Sequence, residues 1–384
     1  MQRLIVSDIP TPWREPVFDR VYQRLRGAVR VVYFGKNEKR RLWNFDLGRY
    51  PKTILRGVTV TPRGGERFVN PGIVPLLLFH RPRIALITAS LKDPTTWLAL
   101  FICRALGTRI ALLCDTWLGR DRAISAAQRM ARKLVYNGFG DAFVGASLQT
   151  LAMFRYYNPQ LAPERLFLSH LVADNASFLA RLSGLRIERR FDVMFSGRIA
   201  AEKNPEFFAK VCAAVKAGRG RCRALIIGEG QAELKVAMRA VFERHGVEYE
   251  FAGFIEHAKL PDYYAQAKLL LLPTSGDCWG VVINEAMLAG TPVVTTEMTA
   301  AAGELVLDGQ NGHVLPLDVD TWARAILEML SNPEKWERFS SNARSKVQEF
   351  TFDKAADGIL AAFAFLEALT SGETGTSPTI PTSS

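Results

Sequence analysis

Residues 273–294 read PTSGDCWGVVINEAMLAGTPVV. An apolar run, Leu269–Leu272, precedes this stretch, and Pro292–Thr295 closes it as a second short strand. Between them a glycine-bearing loop leads into a helix from about Val281. A helix start reached through a tight loop offers unpaired backbone N–H groups and the positive end of the helix dipole, which suits a diphosphate. Asp277 lies in the loop, and Glu285 sits eight positions on, about a turn and a half into the helix. Both then face the crevice at the carboxyl ends of the strands, where open α/β sheets bind ligands. Carboxylates there accept hydrogen bonds from ribose or hexose hydroxyls. An acid near a helix start is ordinarily a cap, so the surrounding strand, loop and helix give the pair its meaning.

Working upstream, FSGRIAAEKNPEF (195–207) places Arg198 and Lys203 between a strand end and a helix start. A guanidinium forks onto phosphate oxygens, whereas an ammonium acts as a point charge. Gly228-Glu229-Gly230 follows the next strand, and Phe254–Ile255 follows Gly253 after the one beyond. Asp308-Gly309-Gln310-Asn311-Gly312 reads as a turn that needs its glycines.

The same alternation runs through the chain. Leu4–Ser7, Val29–Phe34, Ile84–Thr88, Arg109–Cys114 and Ala142–Gly145 read as buried parallel strands, with helical periodicity at 16–25, 94–106, 122–137 and 147–157. Residues 35–70 read as loops or irregular strands and begin with a basic patch, Lys36 to Arg41. Val193–Gly197, Ala224–Gly228 and Tyr249–Ala252 repeat the strand pattern, with helices at about 204–217, 231–245, 257–267 and 281–289. The pattern predicts an α/β chain with two doubly wound parallel sheets. The expected domains are 1–180 and 190–350, joined near 175–190, where SGLRIERR has an exposed composition. A closing helix over 351–370 is expected to pack back on the first domain, and 371–384 is expected to be a disordered tail.

Composition excludes several classes. The 384 residues, 48% hydrophobic and 23% charged, suit a soluble globular protein. No apolar run is long enough to span a bilayer, and the opening MQRLIVSDIP reads as a first strand rather than a leader. Five scattered cysteines without metal-ligand spacing read as reduced thiols in a cytoplasmic protein. No strand is followed by G-x-G-x-x-G, which argues against a dinucleotide-dependent dehydrogenase. The net charge of +11 is uneven: residues 1–185 hold 28 Lys and Arg against 12 Asp and Glu, the remainder 21 against 26. The first half therefore either faces something anionic or carries a solvated basic face. Its basic residues do not interleave with aromatics as in RNA-binding sheets, so an anionic membrane surface is preferred to nucleic acid.

The 273–294 stretch resembles the E-x7-E signature of family-4 retaining glycosyltransferases, with the helix and strand that follow it. Asp277 stands where that family most often has Glu, and Glu285 is the second acid. The resemblance implies a GT-B fold of two facing Rossmann-like domains, acceptor on the first and donor on the second. It implies that Arg198 and Lys203 neutralise the donor diphosphate, that Asp277 meets the hexose and that Glu285 meets the ribose. Gly228, Gly230, Phe254, Ile255, Cys278, Trp279, Gly280 and Val281 would line the nucleotide pocket. The donor would be a UDP- or GDP-linked sugar, used without a metal or other cofactor. The acceptor would be a glycan or a lipid-linked glycan at the inner face of a membrane. In the first domain, Pro10-Thr11-Pro12-Trp13-Arg14 resembles a T-P-Y-R loop of bacterial polysaccharide transferases, and Asp115 would support hydroxyls or cap the next helix. None of the five histidines has an evident place in the site. An epimerase-like user of nucleotide sugars, or a scaffold whose site has decayed, fits the same residues.

Overall fold

The computed structural model describes residues 3–36, 48–62, 65–121, 124–184 and 188–371. Most of the basic patch at 36–41, part of the 183–190 stretch and the tail from 372 lie outside the described residues. The chain forms two compact units, residues 1–171 with 352–384, and residues 172–351.

The first unit is built on β1 (Arg3–Ser7), α1 (Glu15–Arg24), β2 (Val29–Tyr33) and β3 (Lys52–Ile54), followed by a hairpin of β4 (Val58–Val60) and β5 (Arg67–Val69). Then come α2 (Ile73–His80), β6 (Ile84–Thr88), α3 (Pro94–Ala105), β7 (Arg109–Cys114) and α4 (Leu118–Asp121). The unit continues through α5 (Ala126–Gly138), β8 (Ala142–Gly145), α6 (Leu148–Tyr157) and β9 (Leu166–Leu168). Seven of these strands form one parallel sheet in the order β3-β2-β1-β6-β7-β8-β9. The inner strands β1, β6, β7 and β8 are almost wholly apolar and buried, as parallel strands covered on both faces must be, while β2 exposes Arg30 and the edge strand β3 is half-buried.

The second unit opens with α7 (Asn175–Ser183), β10 (Phe191–Ser196), α8 (Pro205–Arg219), β11 (Arg223–Ile227), α9 (Ala232–His245) and β12 (Glu248–Gly253). It proceeds through α10 (Leu260–Tyr264), β13 (Ala267–Leu272), α11 (Val281–Leu288), β14 (Val293–Thr295) and β15 (Gly312–Val314) to α12 (Val319–Ser331) and α13 (Pro333–Val347). Its six-stranded parallel sheet runs β12-β11-β10-β13-β14-β15. The chain passes into this unit at Leu171/Val172, ahead of the expected 175–190, because α7 packs on α10 and α11.

The last helix, α14 (Phe352–Ser371), belongs to the first unit and packs on α1 and on β7, β8 and β9. Its buried positions, Ala355, Ala356, Ile359, Ala362, Phe363 and Leu366, recur at helical spacing. Gly358 brings the helix backbone against β9: a Cβ there would lie 1.6 Å from the Leu168 carbonyl oxygen. Arg20 and Arg24 on α1 pair with Asp353, and Arg24 also pairs with Asp357.

Candidate functional site

Both sheets change direction beside their first strand, between β1 and β6 in the first unit and between β10 and β13 in the second. Such a break leaves an open crevice outside the carboxyl ends of the two strands. In the second unit that crevice receives the loops after β10 and β13, which hold the two motifs. The loops are tied together: Asn204 Nδ2 donates to the Pro273 carbonyl at 2.8 Å, and Ser275 N donates to the Glu202 carbonyl at 2.9 Å. A third loop joins them, with Asp277 N donating to the Met298 carbonyl at 2.9 Å.

This lacing brings Lys203 and Asp277 together as a largely buried ion pair, Nζ donating to Oδ2. Arg198 sits at the surface and pairs with Glu202 at 2.6 Å. Gly280 precedes α11 with a left-handed φ of 88°, which a β-carbon would strain, and so turns the loop into the helix. Val281 is half-buried at the first helical position, and Cys278 is half-buried in the loop before it.

Glu285 is buried on α11. Tyr264 donates its hydroxyl to Oε2 at 2.7 Å, and the same hydroxyl lies 2.7 Å from Ser196 Oγ at the end of β10. His257 Nδ1 stands 3.8 Å from Oε1 of Glu285. Burial raises the Glu285 carboxyl above its ordinary range, while His257 and the Tyr264 hydroxyl act against the rise. No histidine had an evident place in the site from sequence, and the structure sets His257 beside the second acid. Neither it nor Tyr264 and Ser196 carries a local sequence signal, since they reach Glu285 only through the winding of the sheet.

Gly228 and Gly230 follow β11 where the chain runs against the loop after β10. A Cβ at Gly228 would lie 2.0 Å from the Gly197 carbonyl oxygen, and one at Gly230 would lie 2.0 Å from that of Ile199. Phe254 is exposed and Ile255 half-buried after β12. Trp279 differs from the expectation of a pocket-lining side chain. Its indole is fully buried, donates to Asn284 Oδ1 at 2.8 Å and packs on Phe350, so only its backbone faces the loop. A large flat ring next to a helix start is drawn into the core when a buried acceptor waits for its N–H.

In the first unit, Asp115 follows β7 and pairs with Arg14 at 2.5 Å. The Arg14 guanidinium is buried and also donates to the carbonyl and Oγ of Ser169, each at 2.9 Å. Arg14 thus fixes Asp115, a role the T-P-W-R loop does not reveal by itself. Asp8, after β1, has its carboxyl raised to about 6 by burial, with Asp93 and Asp115 adding to the rise against the Ile9 N–H. Among the described residues no group of three acid, histidine or cysteine side chains is placed to hold a metal ion.

Two parallel-sheet domains of this construction define the GT-B fold, and solved structures agree. The crystal structure of Anabaena Alr3699/HepE in complex with UDP is similar with a TM-score of 0.72, covering 95% of this chain and 100% of that chain at 16% identity. That of WaaG, a glycosyltransferase involved in lipopolysaccharide biosynthesis, has a TM-score of 0.64 over 94% of this chain and 99% of that one at 15% identity. At such identities the likeness speaks for the fold. Residues 190–332, within the second unit, match the family described as Glycosyl transferases group 1. The alpha-D-kanosaminyltransferase of Streptomyces kanamyceticus is 32% identical over 198 residues, 48% of this chain and 50% of that protein. The phosphatidyl-myo-inositol mannosyltransferase of Mycobacterium tuberculosis is 27% identical over 145 residues, 36% of this chain and 37% of that protein. The chain thus spans about half the length of the first of these relatives and less of the second.

Proposed function

We propose that this chain is a retaining glycosyltransferase of the family-4 type, moving a hexose from a UDP- or GDP-linked donor to a glycan or lipid-linked acceptor. The observation that carries the reading is the Lys203–Asp277 pair, formed by the loops after β10 and β13 at the break in strand order of the second sheet, with Glu285 held by Tyr264 on the helix that follows. That the break lies inside the stretch matching glycosyltransferases supports it.

Lys203 and Arg198 are held by Asp277 and Glu202. A diphosphate in the crevice competes for both cations, and each then stabilises the charge that grows on the phosphate as the glycosidic bond breaks. Backbone N–H groups at the start of α11 add to this, and the two cations supply the charge that other enzymes take from a metal. Asp277, released from Lys203, accepts hydroxyl hydrogen bonds from the hexose. Glu285 accepts from the ribose, with Tyr264 holding its other oxygen in place. The leaving phosphate takes the proton of the acceptor hydroxyl, which attacks on the face that the phosphate leaves and so retains the anomeric configuration. In the first unit, Asp115 steadied by Arg14 is the group for acceptor hydroxyls.

Thermal melting in metal-free buffer with nucleoside diphosphates tests the donor half. A ligand at a hundredfold its Kd stabilises the folded state by about 2.7 kcal/mol. UDP or GDP is expected to raise the midpoint in the wild type and to leave Glu285→Ala unchanged at a normal unliganded midpoint. No rise with any nucleotide, or an equal rise in Glu285→Ala, would overturn the site.

A further inference from the structure

We infer that His257 and Glu285 form a two-point receptor for one hydroxyl of the donor's ribose, with His257 as the specificity-determining residue that donates the second hydrogen bond. The inference deepens the proposed function and rests on its assignment of Glu285 to the ribose. The two oxygens of Glu285 are not alike. Oε2 accepts the Tyr264 hydroxyl at 2.7 Å, and Ser196 Oγ holds that hydroxyl from the other side, also at 2.7 Å. Tyr264 is fully buried, so this oxygen is committed to the interior. Among the described residues Oε1 accepts no hydrogen bond, and the group that faces it is His257 Nδ1 at 3.8 Å.

That separation is too long for a hydrogen bond between the two, but one hydroxyl oxygen at about 2.8 Å from each bridges it. A sugar hydroxyl both donates and accepts, so it gives its proton to the carboxylate and takes one from the ring. A phosphate oxygen has no such proton to give. The ring suits its part: a carboxylate beside Nδ1 favours the tautomer with the proton there, and a charged ring donates from the same atom. His257 also works against the effect of burial on the Glu285 carboxyl, and so favours the ionised form that accepts. The pair is assembled from two places. Glu285 lies on α11, while His257 opens a single 3-10 turn, His257–Lys259, that follows β12 and packs on α7 and α10. The His257 side chain is 51% exposed against 8% for Glu285, which sets the ring on the solvent side of the carboxylate. Neighbouring charges are engaged elsewhere: Arg181 of α7 pairs with Asp262 of α10, and Lys259 pairs with Glu256.

The test is calorimetric titration of the full chain with UDP and GDP, and then with the 2′-deoxy and 3′-deoxy forms of whichever binds. The wild type is expected to bind the ribo form about tenfold or more tighter than one of the deoxy forms, the loss expected for a hydroxyl bonded to a charged group. His257→Ala should weaken the ribo form about five- to tenfold and that deoxy form less than about twofold, so the preference narrows. His257→Gln, which keeps an N–H donor, should narrow it less. Both variants should keep the wild-type melting midpoint without ligand, because the side chain they replace is half exposed. An equal loss for ribo and deoxy forms in His257→Ala, or no loss for either, would overturn the inference and leave the donor site standing. No binding of any nucleotide by the wild type would overturn the donor reading, and this inference with it.

Discussion

The first unit and the second wind their parallel sheets alike and break strand order beside the same strand, yet they furnish the break differently. In the second, each charge is held by another side chain: Lys203 by Asp277, Arg198 by Glu202. Such partners can be exchanged for a ligand's. In the first, Arg14 is buried and tied to the Ser169 backbone, which leaves it to steady carboxylates rather than to meet a ligand. A common scaffold thus gives one crevice that offers replaceable cations and another that offers fixed acids, and fold alone does not assign either role.

The comparison can be tested at three strengths. The largest effect is expected at Lys203: if its ammonium stabilises the leaving phosphate, Lys203→Ala lowers kcat about 10²–10³-fold, read as nucleoside diphosphate release. A loss below tenfold would mean that its bond to Asp277 is structural. Next come the two glycines at close approaches. Gly358→Ala forces α14 off β9 and should cost about 1–3 kcal/mol, a fall of several degrees in Tm, with nucleotide binding retained. Gly228→Ala should cost a similar amount and weaken nucleotide binding as well, since it displaces the loop holding Arg198. Equal nucleotide binding in both would remove the distinction between the units.

The smallest effect concerns Asp8. Its folded carboxyl titrates at about 6 against 3.8 ordinarily, so between these values the folded state binds more protons than the unfolded chain. Stability therefore falls as pH rises from about 4 to 6, and the cost persists above that window. Asp8→Asn should remove it, raising stability at pH 8 but not at pH 3.5 in thermal melts. A gain of the same size at both pH values would place the benefit in packing rather than charge.

The parallel strands and the two motifs were legible because strand, loop and helix follow one another within about 30 residues, and period and turn chemistry are local signals. The Lys203–Asp277 meeting is also within reach of such reasoning, as both lie after strands that the alternation pairs. What surrounds Glu285 was not legible. Ser196, His257 and Tyr264 arrive from three separate elements, and only the register of β10 against β13 and the packing of α10 bring them to one carboxylate. Trp279 shows the opposite failure: it stands inside the motif by position and inside the core by packing.

The return of α14 to the first unit has a consequence for synthesis. Strands β1 to β9 leave the ribosome first, but the helix that covers β7, β8 and β9, with Ala355, Ile359 and Phe363 buried, follows only after the whole of residues 172–351. The later unit is contiguous and has every strand of its sheet in hand before the earlier one is finished. A chain halted near 351 would thus release a complete second unit attached to a first unit with bare apolar flank, a product for chaperones and proteases to find.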